Sequence, residues 1–167
     1  MLVIVEGPDG SGKSTLIKQL CEKYNFEELK GIPREYPDQA SFWAKLMQSC
    51  TCCKSRTYIV DRCFISELVY RCVKQDLYPN IELNRVCELL WTYRPIYVFC
   101  MTKNSYKYAT ERGEDYVDEK EHARIVEYYD MLYHLFDKFT HTRMVKYDFT
   151  KDTVDSLREE LMEFENC

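Results

Sequence analysis

Two short stretches of the chain hold most of its chemical capacity. The first, residues 7–15, reads GPDGSGKST. Its Gly-x4-Gly-Lys-Ser spacing matches a phosphate-binding loop, in which flexible glycine backbone wraps an anion with inward-pointing N–H groups. Lys13 is placed to reach the β- and γ-phosphates of a nucleoside triphosphate, and Ser14 to offer its hydroxyl to Mg²⁺. A helix opening at this point adds partial positive charge. Asp9, Gly10, Ser11, Gly12, Lys13, Ser14 and Thr15 therefore form the candidate ATP-binding set. The second stretch, residues 60–70, reads VDRCFISELVY. Asp61 has the position of an acid that holds Mg²⁺ directly or through water. Arg62, fixed at a strand end, is a natural fork for a second phosphate. Ser66, Glu67 and Tyr70 follow within about one helical turn of one another.

These residues need strands to carry them and helices to cover the strands. Strand patterns read at 2–6, 57–61, 96–101 and 144–149, with a weaker one inside 26–36. Helical spacing of apolar residues fills the intervals: Leu16, Ile17, Leu20, Cys21 and Tyr24; Phe42, Trp43, Leu46, Met47 and Cys50; Ile65, Leu68, Val69 and Cys72. Asn80 is placed to cap a further helix that Pro95 closes. The longest helix is expected from Asp118, whose spacing to Glu121 suits a capping box. Its stripe runs through Ile125, Tyr129, Leu132, Phe136 and Phe139. Such alternation predicts an α/β fold: three layers, a five-stranded mostly parallel sheet between helices, and one domain over residues 1–167. Ligands of these sheets gather at the carboxyl ends of the strands, where both motifs fall.

Composition narrows the class. The chain has 167 residues, a formal charge of −5 and nine cysteines. A net negative charge argues against a nucleic-acid partner. No apolar run approaches the ~20 residues needed to cross a bilayer, so a soluble, cytoplasmic protein without a membrane partner is expected. The cysteines are scattered, and several lie on apolar helix faces, as reduced thiols would. Cys50, Cys52 and Cys53 lack the second ligand pair of a zinc site.

The two motifs together resemble those of thymidylate kinases. EGPDGSGKST is similar to their Glu-Gly-x-Asp-Gly-x-Gly-Lys-Ser/Thr loop, and DRCFISELVY to their Asp-Arg-aromatic-x-x-Ser-x-x-x-Tyr segment. The short chain resembles the phage members most. Deoxynucleoside kinases share the broader fold but carry other residues at these points. The resemblance implies transfer of the γ-phosphate of ATP, with Mg²⁺, to a deoxynucleoside monophosphate, dTMP in particular. It implies that Arg62 clamps the acceptor phosphate, that Asp9 seats the acceptor, and that Tyr70 presses on the sugar. It also implies that Tyr36 stacks on the base, with Arg34 nearby, and that the protein forms a homodimer. Glu6, Asp9, Tyr36, Arg62, Ser66, Glu67 and Tyr70 make up the acceptor-facing set, and Ser14 and Asp61 the metal-facing pair. The Arg that usually follows the Tyr36-Pro37 position is absent, because Asp38 and Gln39 stand there.

Three points stay open in the sequence. Glu67 accepts hydrogen bonds only, so it suits a base N–H or amine, or else it pairs with Arg71 or Arg62. Residues 103–120 form a polar, charged segment suited to a lid, with Arg112 chosen as its catalytic cation ahead of Lys103 and Lys107. Lys13, Arg62 and Arg112 are thus the candidate catalytic residues. Glu6 could serve as a general base toward a neutral sugar hydroxyl, which keeps a deoxynucleoside kinase in view. A kinase of modified bases in DNA and a non-catalytic nucleotide switch are the remaining alternatives.

Overall fold

The structure is a computed structural model that describes residues 1–31, 39–52, 55–74, 83–113, 118–140 and 142–165. Tyr36 with Arg34 and Pro37, the capping Asn80, and Cys53 lie outside the described residues.

Five strands form one sheet: β1 (Leu2–Glu6), β2 (Glu27–Leu29), β3 (Tyr58–Asp61), β4 (Ile96–Cys100) and β5 (Met144–Tyr147). Their order is β2-β3-β1-β4-β5, and every neighbouring pair is parallel. The helices are α1 (Lys13–Tyr24), α2 (Gln39–Cys52), α3 (Phe64–Lys74), α4 (Leu83–Tyr93), α5 (Ser105–Glu111), α6 (Glu119–Thr140) and α7 (Val154–Glu165).

Side-chain alternation along each strand divides the core into two layers. Leu2, Ile4, Val60, Tyr97, Phe99 and Met144 pack under residues of α2, α3, α4 and α6. Val3, Val5, Ile59, Ile96, Val98 and Val145 pack under α1 and α7. Fully buried side chains of this kind each contribute about 2 kcal/mol of apolar transfer. The long stripe of α6 is buried at Ile125, Tyr129, Leu132 and Phe136. Asp61 takes no part in either core, and one of its carboxylate oxygens is buried without a hydrogen-bond partner among the described residues.

The same alternation sorts the carboxylates. In the sheet register Asp61 lies beside Val5, and Glu6 beside Phe99. Asp61 therefore falls on the α1 face, where the phosphate loop continues, and Glu6 on the face covered by α3 and α6. One residue of register would exchange them.

One element departs from the sequence expectation. The polar segment after β4 contains α5, a helix of seven residues. That length spans only about two turns, too short for hydrophobic periodicity to reveal it.

Candidate active site at the carboxyl edge of the sheet

The loop between β1 and α1 forms the cradle its letters predict. Gly12 caps α1 in the left-handed region, with φ 85°, and no side chain caps the helix start. The first N–H groups of α1 are thus left for an anion. Gly10 and Gly12 are required by contact as well as by dihedral. A Cβ on Gly10 would lie 1.9 Å from the Ser105 carbonyl oxygen, and one on Gly12 would lie 2.8 Å from the Phe149 ring. Helix α5 and the β5–α7 turn both rest directly on the loop.

Lys13 Nζ donates a hydrogen bond to the Pro8 carbonyl oxygen at 2.6 Å, and Ser11 Oγ donates to the same oxygen at 2.7 Å. Burial lowers the Lys13 amine to about 8, with the Arg62 charge acting in the same direction. Asp9 and Asp61 act against this lowering, and a bound phosphate would add a further anion. Ser14 and Thr15 are exposed at the helix start.

At the end of β3, Arg62 adopts φ 66°, a left-handed conformation unusual for a side chain of this size. The turn is anchored by the Arg62 N–H, which donates to the Val5 carbonyl oxygen at 2.9 Å. The guanidinium forms an ion pair with Asp9. It lies 5.0 Å from the centre of the Tyr70 ring, 3.3 Å from Ser66 Oγ and 3.4 Å from the Tyr129 hydroxyl. Both motifs therefore meet: Asp9 of the first loop holds Arg62 of the second.

Glu6 is fully buried behind this pair. Its carboxylate accepts hydrogen bonds from the Cys63 N–H at 2.7 Å and from Ser66 Oγ. Burial raises its pKa to about 7, although Ser66, Arg62 and the Cys63 N–H all favour the charged form.

The other candidates separate. Glu67 forms an ion pair with Arg71 one turn along α3, the plainer of its two sequence readings. Arg112 stands at the end of α5 and is exposed. It lines a cavity of about 370 Å³ with Gly12, Thr15, Gln19, Phe149 and Asp152. That cavity lies beside the loop between β1 and α1, next to the turn of residues 148–153.

Two site residues escaped the sequence reading. Tyr129 counted only as one member of the α6 core stripe, yet its hydroxyl reaches Ser66 Oγ at 2.8 Å. His122, also buried, meets Ser105 Oγ at 2.9 Å through Nε2 and so ties α6 to the helix resting on Gly10. A polar tip on an otherwise apolar stripe is the signal that could have flagged both.

The ligand-binding chemistry of Asp61 and Ser14 fits Mg²⁺. Both offer hard oxygens, and the buried Asp61 Oδ1 lacks a hydrogen-bond partner among the described residues. The described residues hold no group of three or more His, Cys, Asp or Glu side chains able to bind a metal. Mg²⁺ in nucleotide sites needs only one or two protein oxygens, because phosphates and water complete its shell.

No protein-family model matches the chain, and no curated protein matches it in sequence. Solved structures do share its fold. The YorR protein from Bacillus subtilis, in complex with phosphorylated GDP, aligns with a TM-score of 0.70 and 22% identity, over 98% of this chain and 95% of its own. Deoxyadenosine kinase from M. mycoides with bound dATP aligns with a TM-score of 0.60 and 18% identity over the whole of both chains. The same enzyme with the products dCMP and dCDP bound gives 0.60 and 19%. The chain thus shares the α/β fold of these structures over nearly its whole length.

Proposed function

We propose that this chain is a Mg²⁺-dependent kinase that transfers the γ-phosphoryl group of ATP to a deoxynucleoside monophosphate. The observation that carries the reading is the juxtaposition of two cations at adjacent strand ends. Lys13 in its loop faces the donor side, and Arg62 faces the acceptor side, with Asp9 joining the two motifs.

The chemistry asks for alignment and charge balance rather than covalent help. The loop N–H groups and Lys13 hold the donor phosphates. Arg62, stiffened by Asp9 and Tyr70, grips the acceptor phosphate and aims one of its oxygens at the γ-phosphorus. A bond forms between that oxygen and the γ-phosphorus as the bond to the β-bridging oxygen breaks, and ADP leaves with the electron pair. A phosphate monoester is already anionic at neutral pH, so no general base is required. Mg²⁺ held by Asp61 and Ser14 would neutralise charge on the β- and γ-oxygens. Arg112 adds positive charge from the lid, and the cavity it lines suits the donor's base and sugar. Thymidylate as the preferred acceptor rests on the resemblance of the two motifs to thymidylate kinases.

One observation favours a second reading, a deoxynucleoside kinase. Glu6 holds its proton up to about pH 7, a suitable range for a base that accepts a sugar hydroxyl's proton. Against it, both Glu6 oxygens are already engaged by Cys63 and Ser66, and the side chain is fully buried.

Incubating the protein with γ-labelled ATP, Mg²⁺ and, in parallel, dTMP, dGMP, thymidine or a DNA oligomer tests the reading. Label is expected in a nucleoside diphosphate. Label in a nucleoside monophosphate instead would select the second reading, and no transfer to any acceptor would reduce the protein to a nucleotide-binding module.

A further inference from the structure

Tyr129 is buried to 0% exposure at the middle of α6, among Ile125, Leu132 and Phe136, where phenylalanine would pack as well. Its hydroxyl nevertheless has three polar neighbours: Ser66 Oγ at 2.8 Å, Arg62 Nη1 at 3.4 Å and Glu6 Oε2 at 3.4 Å. With Glu6 ionised, above about pH 7, the proton inventory fixes the direction of these bonds. Arg62 can only donate, and an ionised Glu6 can only accept. Ser66 gives its single proton to Glu6, so it must receive one from Tyr129. The Tyr129 oxygen is then free to accept from Arg62. A directed chain results, running from Arg62 through Tyr129 and Ser66 to the Glu6 carboxylate.

This chain supplies what the strained Arg62 needs. The residue sits at φ 66° on a loop, with a long side chain that has many rotamers. Asp9 holds Nη2 from the phosphate-loop side, and Tyr129 and Ser66 hold Nη1 from the helix side. The two anchors on separate elements define the plane of the fork.

We infer that Tyr129 is a positioning residue for the acceptor site, setting the orientation of the Arg62 guanidinium through its hydroxyl. The inference rests on the acceptor-binding role given to Arg62 above. Tyr97 provides the internal control: it is another fully buried tyrosine on the same face of the sheet, but its hydroxyl makes no hydrogen bond to Arg62, Ser66 or Glu6 among the described residues.

The test compares Tyr129→Phe, Tyr97→Phe, Arg62→Lys and the Tyr129→Phe/Arg62→Lys double variant, each checked for an intact unfolding transition. Initial rates are measured with ATP and dTMP, or with whichever of dGMP, dAMP, dCMP and thymidine the unaltered protein phosphorylates. Tyr129→Phe is expected to lower kcat/KM for the acceptor about tenfold, as loss of one hydrogen bond to a charged group would, and to leave the KM for ATP unchanged. Tyr97→Phe is expected to match the unaltered protein. The double variant is expected to equal Arg62→Lys alone, because Tyr129 acts through the lost fork. An unchanged acceptor kcat/KM in Tyr129→Phe, or losses that multiply in the double variant, would overturn the inference. If the unaltered protein phosphorylates none of these acceptors, the role of Arg62 falls and the inference with it. That outcome is read from the unaltered protein alone, so the two failures are distinguishable.

Discussion

Asp9 and Arg62, 53 residues apart in the chain, form an ion pair in which each side chain is only about a quarter exposed (21% and 26%). The pair joins the phosphate loop after β1 to the turn after β3. It also occupies the guanidinium that the proposed reaction needs, so an acceptor phosphate must share Arg62 with Asp9. Removing the carboxylate should reveal this competition. Asp9→Asn is expected to lose about 1–2 kcal/mol of stability, less than a fully buried pair would cost. Inorganic phosphate or dTMP is then expected to raise the Tm of Asp9→Asn more than that of the unaltered protein, as thermal unfolding with and without the anion would measure.

Asp61 invites the opposite trade. Its Oδ1 is buried without a hydrogen bond among the described residues, an arrangement that costs stability unless a cation or water repays it. Asp61→Asn keeps the shape and removes the charge. Unfolding in denaturant without Mg²⁺ is expected to show equal or greater stability, while kcat falls at least about a hundredfold and the Mg²⁺ concentration for half-maximal rate rises.

Glu6 gives the fold a pH dependence whose sign follows from burial. An unfolded carboxyl ionises near 4.5, whereas Glu6 in the fold holds its proton to about 7. The folded state binds the proton more tightly, so its contribution is complete below pH 4.5 and is lost as pH rises through 7. Relative to Glu6→Gln, which cannot titrate, the unaltered protein is expected to lose about 3 kcal/mol of unfolding free energy between pH 4.5 and pH 8. Denaturant titrations of the two proteins across that range would measure the difference.

The sequence made the skeleton of the site readable because local rules wrote it. Glycines at 10 and 12 and the run of β1 announce a nest before a helix, and the strand pattern before Asp61 brings the second motif to the same edge of the sheet. The contacts that complete the site are not local. Tyr129 reaches Ser66 across 63 positions, and His122 reaches Ser105 by the packing of α6 beside α5. Periodicity marks both as core, since a stripe records burial and carries no information on what a hydroxyl or imidazole meets at its tip. Glu67 was ambiguous for the same reason: a partner one turn away and a ligand in the cleft demand the same residue, and the structure pairs it with Arg71.

The central claim is that Lys13 and Arg62 serve separate anions. Calorimetric titration of the unaltered protein, Lys13→Ala and Arg62→Ala with Mg²⁺-ATP and with dTMP tests it most directly. Lys13→Ala is expected to lose ATP binding at least about tenfold and to keep dTMP affinity, while Arg62→Ala shows the reverse. Loss of ATP binding in Arg62→Ala with dTMP binding unchanged would contradict the assignment of two facing phosphate sites.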